Sequence, residues 1–179
     1  MDLAPATEVP RAHVAGWPEP VRRELDRRAV GLYAAAVERA RSVGEGRVLS
    51  LDDPDGRARL ADGPAEDGSY DVVVSVAALV EVADLPGALA RIHDLLTPDG
   101  WFCFIEPVVH PGWRGVLRAS VGAHLPAVRQ QHLGRDVPLA ARANRLLITD
   151  IERFEMPTPV WPLRSFVQSR AIIDRRSGR

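Results

Sequence analysis

Seven residues constrain the fold of this chain more than any others: Tyr70-Asp71-Val72-Val73-Val74-Ser75-Val76. Four of them are valine, whose branched Cβ favours extended backbone. Apolar and polar residues do not alternate along the run, so neither face is built for water. A strand buried on both faces belongs in a parallel sheet with helices on each side. Parallel neighbours are joined by crossovers of about a dozen residues or more. The flanking sequence must therefore supply helices.

It does. Val21, Leu25, Ala29, Leu32, Ala36 and Ala40 recur at spacings of three and four, which predicts a helix over Glu19–Ser42 with one apolar face. Pro20 is tolerated in its first turn, and Gly44 and Gly46 follow its end. Val48–Leu51 reads as a short buried strand. Beyond the valine run, Asp84 caps a helix whose Leu85, Leu89, Ile92 and Leu96 form a stripe, with Pro86 in the first turn. Thr97-Pro98-Asp99-Gly100 is a turn signal. Trp101–Ile105 is a further strand, ending at Glu106-Pro107.

Residues 108–144 read as a variable, lid-like insertion, with a helix over roughly 115–131 carried by Leu117, Val121, Leu125 and Val128. Leu146–Phe154 and Phe166–Ile173 are the last two strands, joined by the proline-rich Met156–Pro162. Residues 1–18 are expected as an irregular arm, 19–173 as one domain and 174–179 as a frayed tail. This order is that of an α/β protein with a mostly parallel sheet.

The 179 residues are enough for one real core, and a formal net charge of −1 offers nothing to nucleic acid or an anionic membrane. No apolar run approaches the ~20 residues of a membrane span. Asp2 and Glu8 stand where a signal peptide would be basic. The single cysteine, Cys103, sits in the apolar run Trp101–Ile105 and is expected as a core residue. No His/Cys/Asp spacing points to a metal site. The expectation is a cytoplasmic protein.

Three stretches together resemble the class I S-adenosylmethionine-dependent methyltransferases of the small-molecule type. Tyr70-Asp71 matches the aromatic-Asp pair that opens that family's fourth strand, and Leu79-Val80-Glu81-Val82-Ala83-Asp84 matches the segment after it. Leu95-Leu96-Thr97-Pro98-Asp99-Gly100 matches its leucine pair and Pro-Gly-Gly-like turn. The closing strands resemble its antiparallel end hairpin, and the helix before Val48 its lead-in helix. The resemblance implies a Rossmann-like methyltransferase fold, shortened to about five strands and ending in an antiparallel hairpin.

The shortening falls on the cofactor half. In the family a glycine-rich loop after the first strand lets backbone approach the methionine moiety. An acid ending the second strand holds the ribose, and another near the third strand contacts adenine. Here Asp52-Asp53-Pro54-Asp55-Gly56 follows Val48–Leu51, and only the eighteen residues Asp52–Ser69 precede Tyr70. Helical and strand rises of ~1.5 and ~3.3 Å per residue leave room for one crossover, not for two further strands. In a second register Val48–Asp52 would be the second strand with Asp52 as ribose acid, and Arg57–Asp62 the third with Asp62 near adenine. The lead-in helix favours the first-strand register.

By resemblance, Asp52, Asp53, Asp62 and Ser75 are the candidate cofactor contacts. The acidic trio Asp52, Asp53 and Asp55 would repel phosphate, and reads either as a site for hydroxyls, an amine or a metal, or as a polar turn. Glu106 and His110 follow the strand that faces acceptors in the family, and are the catalytic candidates, His110 as a general base. Tyr70, Trp113 and His132 are candidate substrate contacts at the same mouth. Two functions follow. One is methyl transfer to a small molecule, with S-adenosylmethionine held in a pocket completed by a second subunit. The other is an inactive relative with no cofactor, working as a homodimer or as regulatory partner of an intact methyltransferase. A small-ligand module using Glu106 and His110 is a third. With its outer strands missing, Val48–Leu51 becomes an apolar sheet edge open to a second copy or a protein partner.

Overall fold

Strands β1 (Val48–Ser50), β2 (Tyr70–Val76), β3 (Leu96–Pro107), β4 (Leu146–Glu155) and β5 (Ser165–Ile173) form one sheet in the order β1-β2-β3-β5-β4. The first two pairings are parallel and the last two antiparallel. The computed structural model describes residues 14, 16–44, 46–62, 67–108, 131–133, 135–160 and 163–175. The helix expected over 115–131, with His110 and Trp113, lies outside the described residues.

Helix α1 (Glu19–Ser42) covers one face of the sheet. Its buried residues are the six that the spacing predicts, Val21 through Ala40. Five of them, Val21 through Ala36, join a core with Val72, Val74 and Val76 of β2 and Cys103 and Ile105 of β3. Each such aliphatic side chain, once buried, contributes about 1.5–3 kcal/mol. The end of the expected arm is docked here too: Trp17 is buried and meets the Phe166 ring edge-on at 5.8 Å. The solvent side of α1 is laced by ion pairs at helical spacing, Glu19–Arg23 and Glu24–Arg28.

On the other face lie α2 (Pro54–Asp62), α3 (Leu85–Leu95) and α4 (Val137–Ala143). Leu89, Ile92 and Leu95 pack there with Phe102 and Phe104, whose rings stack at 4.8 Å. The valines of β2 alternate between the two cores: Val73 joins this one and Val72, Val74 and Val76 the other. That is why the run shows no polar face.

Three details differ from the sequence reading. Thr97–Gly100 is not a separate turn, because β3 already begins at Leu96. Tyr70 pairs with Leu96 and Val72 with Trp101, so the four residues bulge between two pairings. Helix α4 lies inside the segment read as variable. Its signal matches that of α3: Asp136 accepts from the Leu139 N–H as Asp84 accepts from the Gly87 N–H, each with proline in the first turn. Finally, Arg57–Asp62 is helix, which overturns the second register and its third strand. Pro54 starts α2, and the Arg, Ala and Leu residues behind it are good helix formers. β1 pairs directly with β2, Val48 opposite Val72, as a first strand does when the second and third are absent.

Two helical glycines separate packing from propensity. A Cβ on Gly31, in the middle of α1, would meet nothing within 4 Å, whereas on Gly56 it would lie 1.7 Å from the Ser50 carbonyl oxygen. Gly31→Ala is expected to stabilise the chain by about 0.5–1 kcal/mol and Gly56→Ala to destabilise it by about 1–3 kcal/mol or more. Denaturant melts of the two variants check the opposite signs.

Candidate functional site

The carboxyl ends of β1, β2 and β3 lie side by side, the edge where α/β proteins bind ligands. Asp52 leaves β1 and turns inward, only 3 % exposed. Its Oδ1 accepts from the Val76 N–H at 2.8 Å, and its Oδ2 from the Tyr33 hydroxyl at 2.7 Å. Tyr33 also lies 2.5 Å from the Ser50 hydroxyl. One carboxylate thus ties β1 to β2 and to α1. Burial raises its pKa to about 6, against the pull of the Val76 and Tyr33 hydrogen bonds. Burial likewise pushes the Tyr33 phenol well above its usual range, with Asp52 adding to it. Arg57 on α2 donates to the carbonyls of Leu51 and Asp52, at 3.3 and 2.9 Å.

Glu106, at the end of β3, is fully buried. Its Oε1 accepts from the Ser75 hydroxyl at 2.6 Å and from the Leu79 N–H at 3.1 Å. Its Oε2 is buried with no partner. Burial raises its pKa to about 8; the Ser75 hydroxyl and the Leu79 and Ala78 N–H groups oppose the shift, and the charge of Asp52 adds to it. Glu106 thus holds its proton well above the usual carboxyl range. Between the two acids, β2 is followed by Ala77, a non-glycine residue at φ +56°, whose N–H donates to the Ile105 carbonyl at 2.8 Å. Such a conformation costs about 1–2 kcal/mol and turns the chain sharply into the single 3₁₀ turn Leu79–Glu81.

A strap crosses this turn. The His132 N–H donates to the Val80 carbonyl at 2.8 Å, and the Arg135 guanidinium donates to the carbonyls of Val82 and Ala83. The Trp17 indole N–H donates to Gln131, on the α1 side.

The structure thus brings together Asp52, Ser75 and Glu106 and places the His132 backbone one turn away, its side chain exposed. Asp53 and Asp55 face solvent. Asp62 is the last residue of α2, not part of a strand. Tyr70 is at the opposite end of the sheet, because it opens a parallel strand whose carboxyl end forms the site. Arg59 donates to its hydroxyl at 2.7 Å and Arg47 covers its ring at 4.6 Å. It does not share a mouth with Glu106. Sequence reasoning missed Tyr33, Arg57 and Arg135. The one signal was Tyr33, a hydroxyl-bearing aromatic beside the apolar stripe of α1. Among the described residues no group of three or more His, Cys, Asp or Glu side chains is placed to hold a metal ion.

A methionine and ribose cradle needs bare backbone and free acceptors. The described glycines on this side, Gly56 and Gly87, are each backed by the chain itself: an added Cβ would strike Ser50 O at 1.7 Å and Asp84 Oδ2 at 2.3 Å. Each oxygen of Asp52 already accepts a hydrogen bond from within the chain. At this edge Gly56 and Gly87 pack against the chain's own atoms and Asp52 is bonded inward.

Residues 26–104 match the family model described as a methyltransferase domain. That stretch is similar to the methyltransferase domain family. A sarcosine dimethylglycine methyltransferase from Galdieria sulphuraria, so assigned without proof, superposes with TM-score 0.56 at 15 % identity, over 91 % of this chain and 94 % of that one. A geranyl diphosphate methyltransferase in complex with S-adenosylmethionine gives TM-score 0.52 at 14 % identity, over 90 % and 94 %. At such identities the likeness is one of fold. This methyltransferase-fold chain spans 59 % of a further relative, an S-adenosylmethionine-dependent methyltransferase from Thermotoga maritima (TM-score 0.47, 15 % identity, 62 % of this chain). No curated protein matches the sequence. Among the described residues no helix is long and apolar enough to cross a membrane.

The buried acid has a sign that can be checked. Unfolded, Glu106 ionises near the ordinary carboxyl value of 4.5; folded, it holds its proton to about pH 8. The native state therefore binds more protons across that window, and stability falls as pH rises through it. Glu106→Gln mimics the neutral acid and removes this slope. Melting curves should coincide with wild type near pH 4.5 and lie at least about 3 °C above it at pH 8.

Proposed function

We propose that this chain is a pseudo-methyltransferase: it keeps the family's sheet and acceptor edge, does not hold S-adenosylmethionine in the family's manner, and acts by binding. One observation carries the reading, the inward Asp52 with both oxygens bonded within the chain. Gly56 supports it, since its open side is filled by the Ser50 carbonyl. So does the single nine-residue crossover α2 between β1 and β2. A cofactor at this edge would have to displace Asp52 from the Val76 N–H and the Tyr33 hydroxyl together.

Binding is proposed to use the open side of β1, with a second copy or a protein partner as occupant. β1 is the outermost strand and only three residues long. That length limits strand pairing to a few hydrogen bonds, so the contact is weak or is completed by neighbouring side chains.

A second reading is methyl transfer to a small molecule. Glu106 favours it, a neutral acid buried at the edge that faces acceptors in the family, with His110 as its partner base. The relatives named above act on small molecules by their descriptions, which is compatible with this reading.

Calorimetric titration with S-adenosylmethionine decides between the two. The pseudo-methyltransferase reading expects no saturable heat up to millimolar ligand; micromolar affinity sinks it. For the edge of β1, light scattering over a concentration series should show growth in mass above the monomer. A monomer at every concentration removes the second copy as occupant.

A further inference from the structure

The hydrogen bonds of Glu106 locate its proton. Oε1 already accepts from the Ser75 hydroxyl and the Leu79 N–H, with the Ala78 N–H nearby, while Oε2 is buried and meets hydrogen-bond geometry with no partner among the described residues. An ionised carboxylate would leave negative charge on Oε2 with no counter-ion bonded to it, in the field of Asp52. Burying a bare charge costs far more than burying a neutral acid. The side chain is neutral, and with Oε1 filled as an acceptor the hydrogen belongs on Oε2. Native interiors seldom leave a buried donor without an acceptor, and the exceptions ask for a reason.

The surroundings restrict what could answer this donor. From β1, Asp52 faces Glu106, its own oxygens bonded to Tyr33 of α1 and to the Val76 N–H, with Asp53 beside it in solvent. From α2, Arg57 is turned to main-chain carbonyls. On the strap, Arg135 is turned to the carbonyls of Val82 and Ala83, and His132 is exposed, as is Glu81 on the turn it crosses. None of these bonds to Oε2. An anion would be repelled by Asp52, and a cation would gain nothing from a neutral acid that presents a hydrogen. A neutral oxygen acceptor suits both.

We propose that the Glu106 Oε2–H is a ligand contact, donating to the carbonyl or ether oxygen of a small neutral molecule admitted when the Leu79–Glu81 turn yields. The turn is the cover, its Leu79 N–H bonded to Glu106 Oε1. It hangs from Ala77 in its left-handed conformation and is held by the His132 N–H and, just beyond it, by Arg135. The proposal goes beyond the closed nucleoside end and does not need it: S-adenosylmethionine titration tests that reading, and a neutral probe tests this one.

The probe is N,N-dimethylacetamide, which accepts hydrogen bonds and donates none, with tetramethylammonium and acetate as the charged comparisons. Infrared difference spectra of the full chain, wild type against Glu106→Gln, assign the carbonyl band of the neutral Glu106 acid below pH 8. Dimethylacetamide should shift that band saturably, and neither ion should. Binding should weaken about tenfold or more above pH 8 in wild type. It should persist without that pH dependence in Glu106→Gln, whose amide keeps a donor at the same place, and fall about tenfold in Glu106→Leu. Three results overturn the proposal: no neutral-acid band from Glu106, no saturable shift with dimethylacetamide, or equal affinity in wild type and Glu106→Leu. If the leucine variant does not fold, the wild-type spectra and the glutamine variant still decide.

Discussion

The hydrogen bond from the Val76 N–H to the Asp52 carboxylate is the contact on which the rest of this structure turns. It spans the first two strands at their carboxyl ends, and with Tyr33 it fastens the sheet to α1. A buried carboxylate is costly unless its oxygens find donors, and here each finds one. The same fact that makes Asp52 tolerable makes it unavailable. In the proposed reading, a side chain that ties three elements of its own chain together would have to be pulled away from them to serve a ribose hydroxyl or a methionine amine.

This closure follows from the length of one connection. With α2 as the sole link between β1 and β2, the helix must begin at once, and its first turn presses on the end of β1. Gly56 meets that demand, since any side chain there would strike the Ser50 carbonyl. In the related fold glycines after the first strand leave space for a cofactor; here the glycine lets helix and strand touch. The end of β3 has a different character. Glu106 and Ser75 continue the faces of β3 and β2 that bury Phe102, Phe104 and Val73, and so place polar atoms at the end of an apolar core. The raised pKa of the acid is the electrostatic expression of that position.

Most of the fold was legible because strong periodicity is local information. The stripe of α1 and the double burial of the β2 valines are written in side-chain type alone, and eighteen residues before Tyr70 limit what can stand beside β2. The boundary at Thr97–Gly100 was not legible: turn-forming residues also suit a bulge, and only the pairing partner tells the two apart. α4 was missed although Asp136 and Pro138 repeat the signal of Asp84 and Pro86, because seven residues show too little periodicity. At the site, Asp52 and Glu106 were visible as acids after strands, but not the direction each faces. That depends on Tyr33, nineteen residues from Asp52, and on Leu79, which no spacing rule connects to Glu106. Tyr70 was misplaced because a motif marks a strand, not which end of it meets ligand.

Hydrogen exchange at the Val76 amide tests most directly whether Asp52 seals the nucleoside end. The account predicts slow exchange from this amide in the free chain, unchanged by millimolar S-adenosylmethionine. Fast exchange in the free chain, or an exchange rate that the nucleoside alters, would show that the carboxylate lets go and would contradict it.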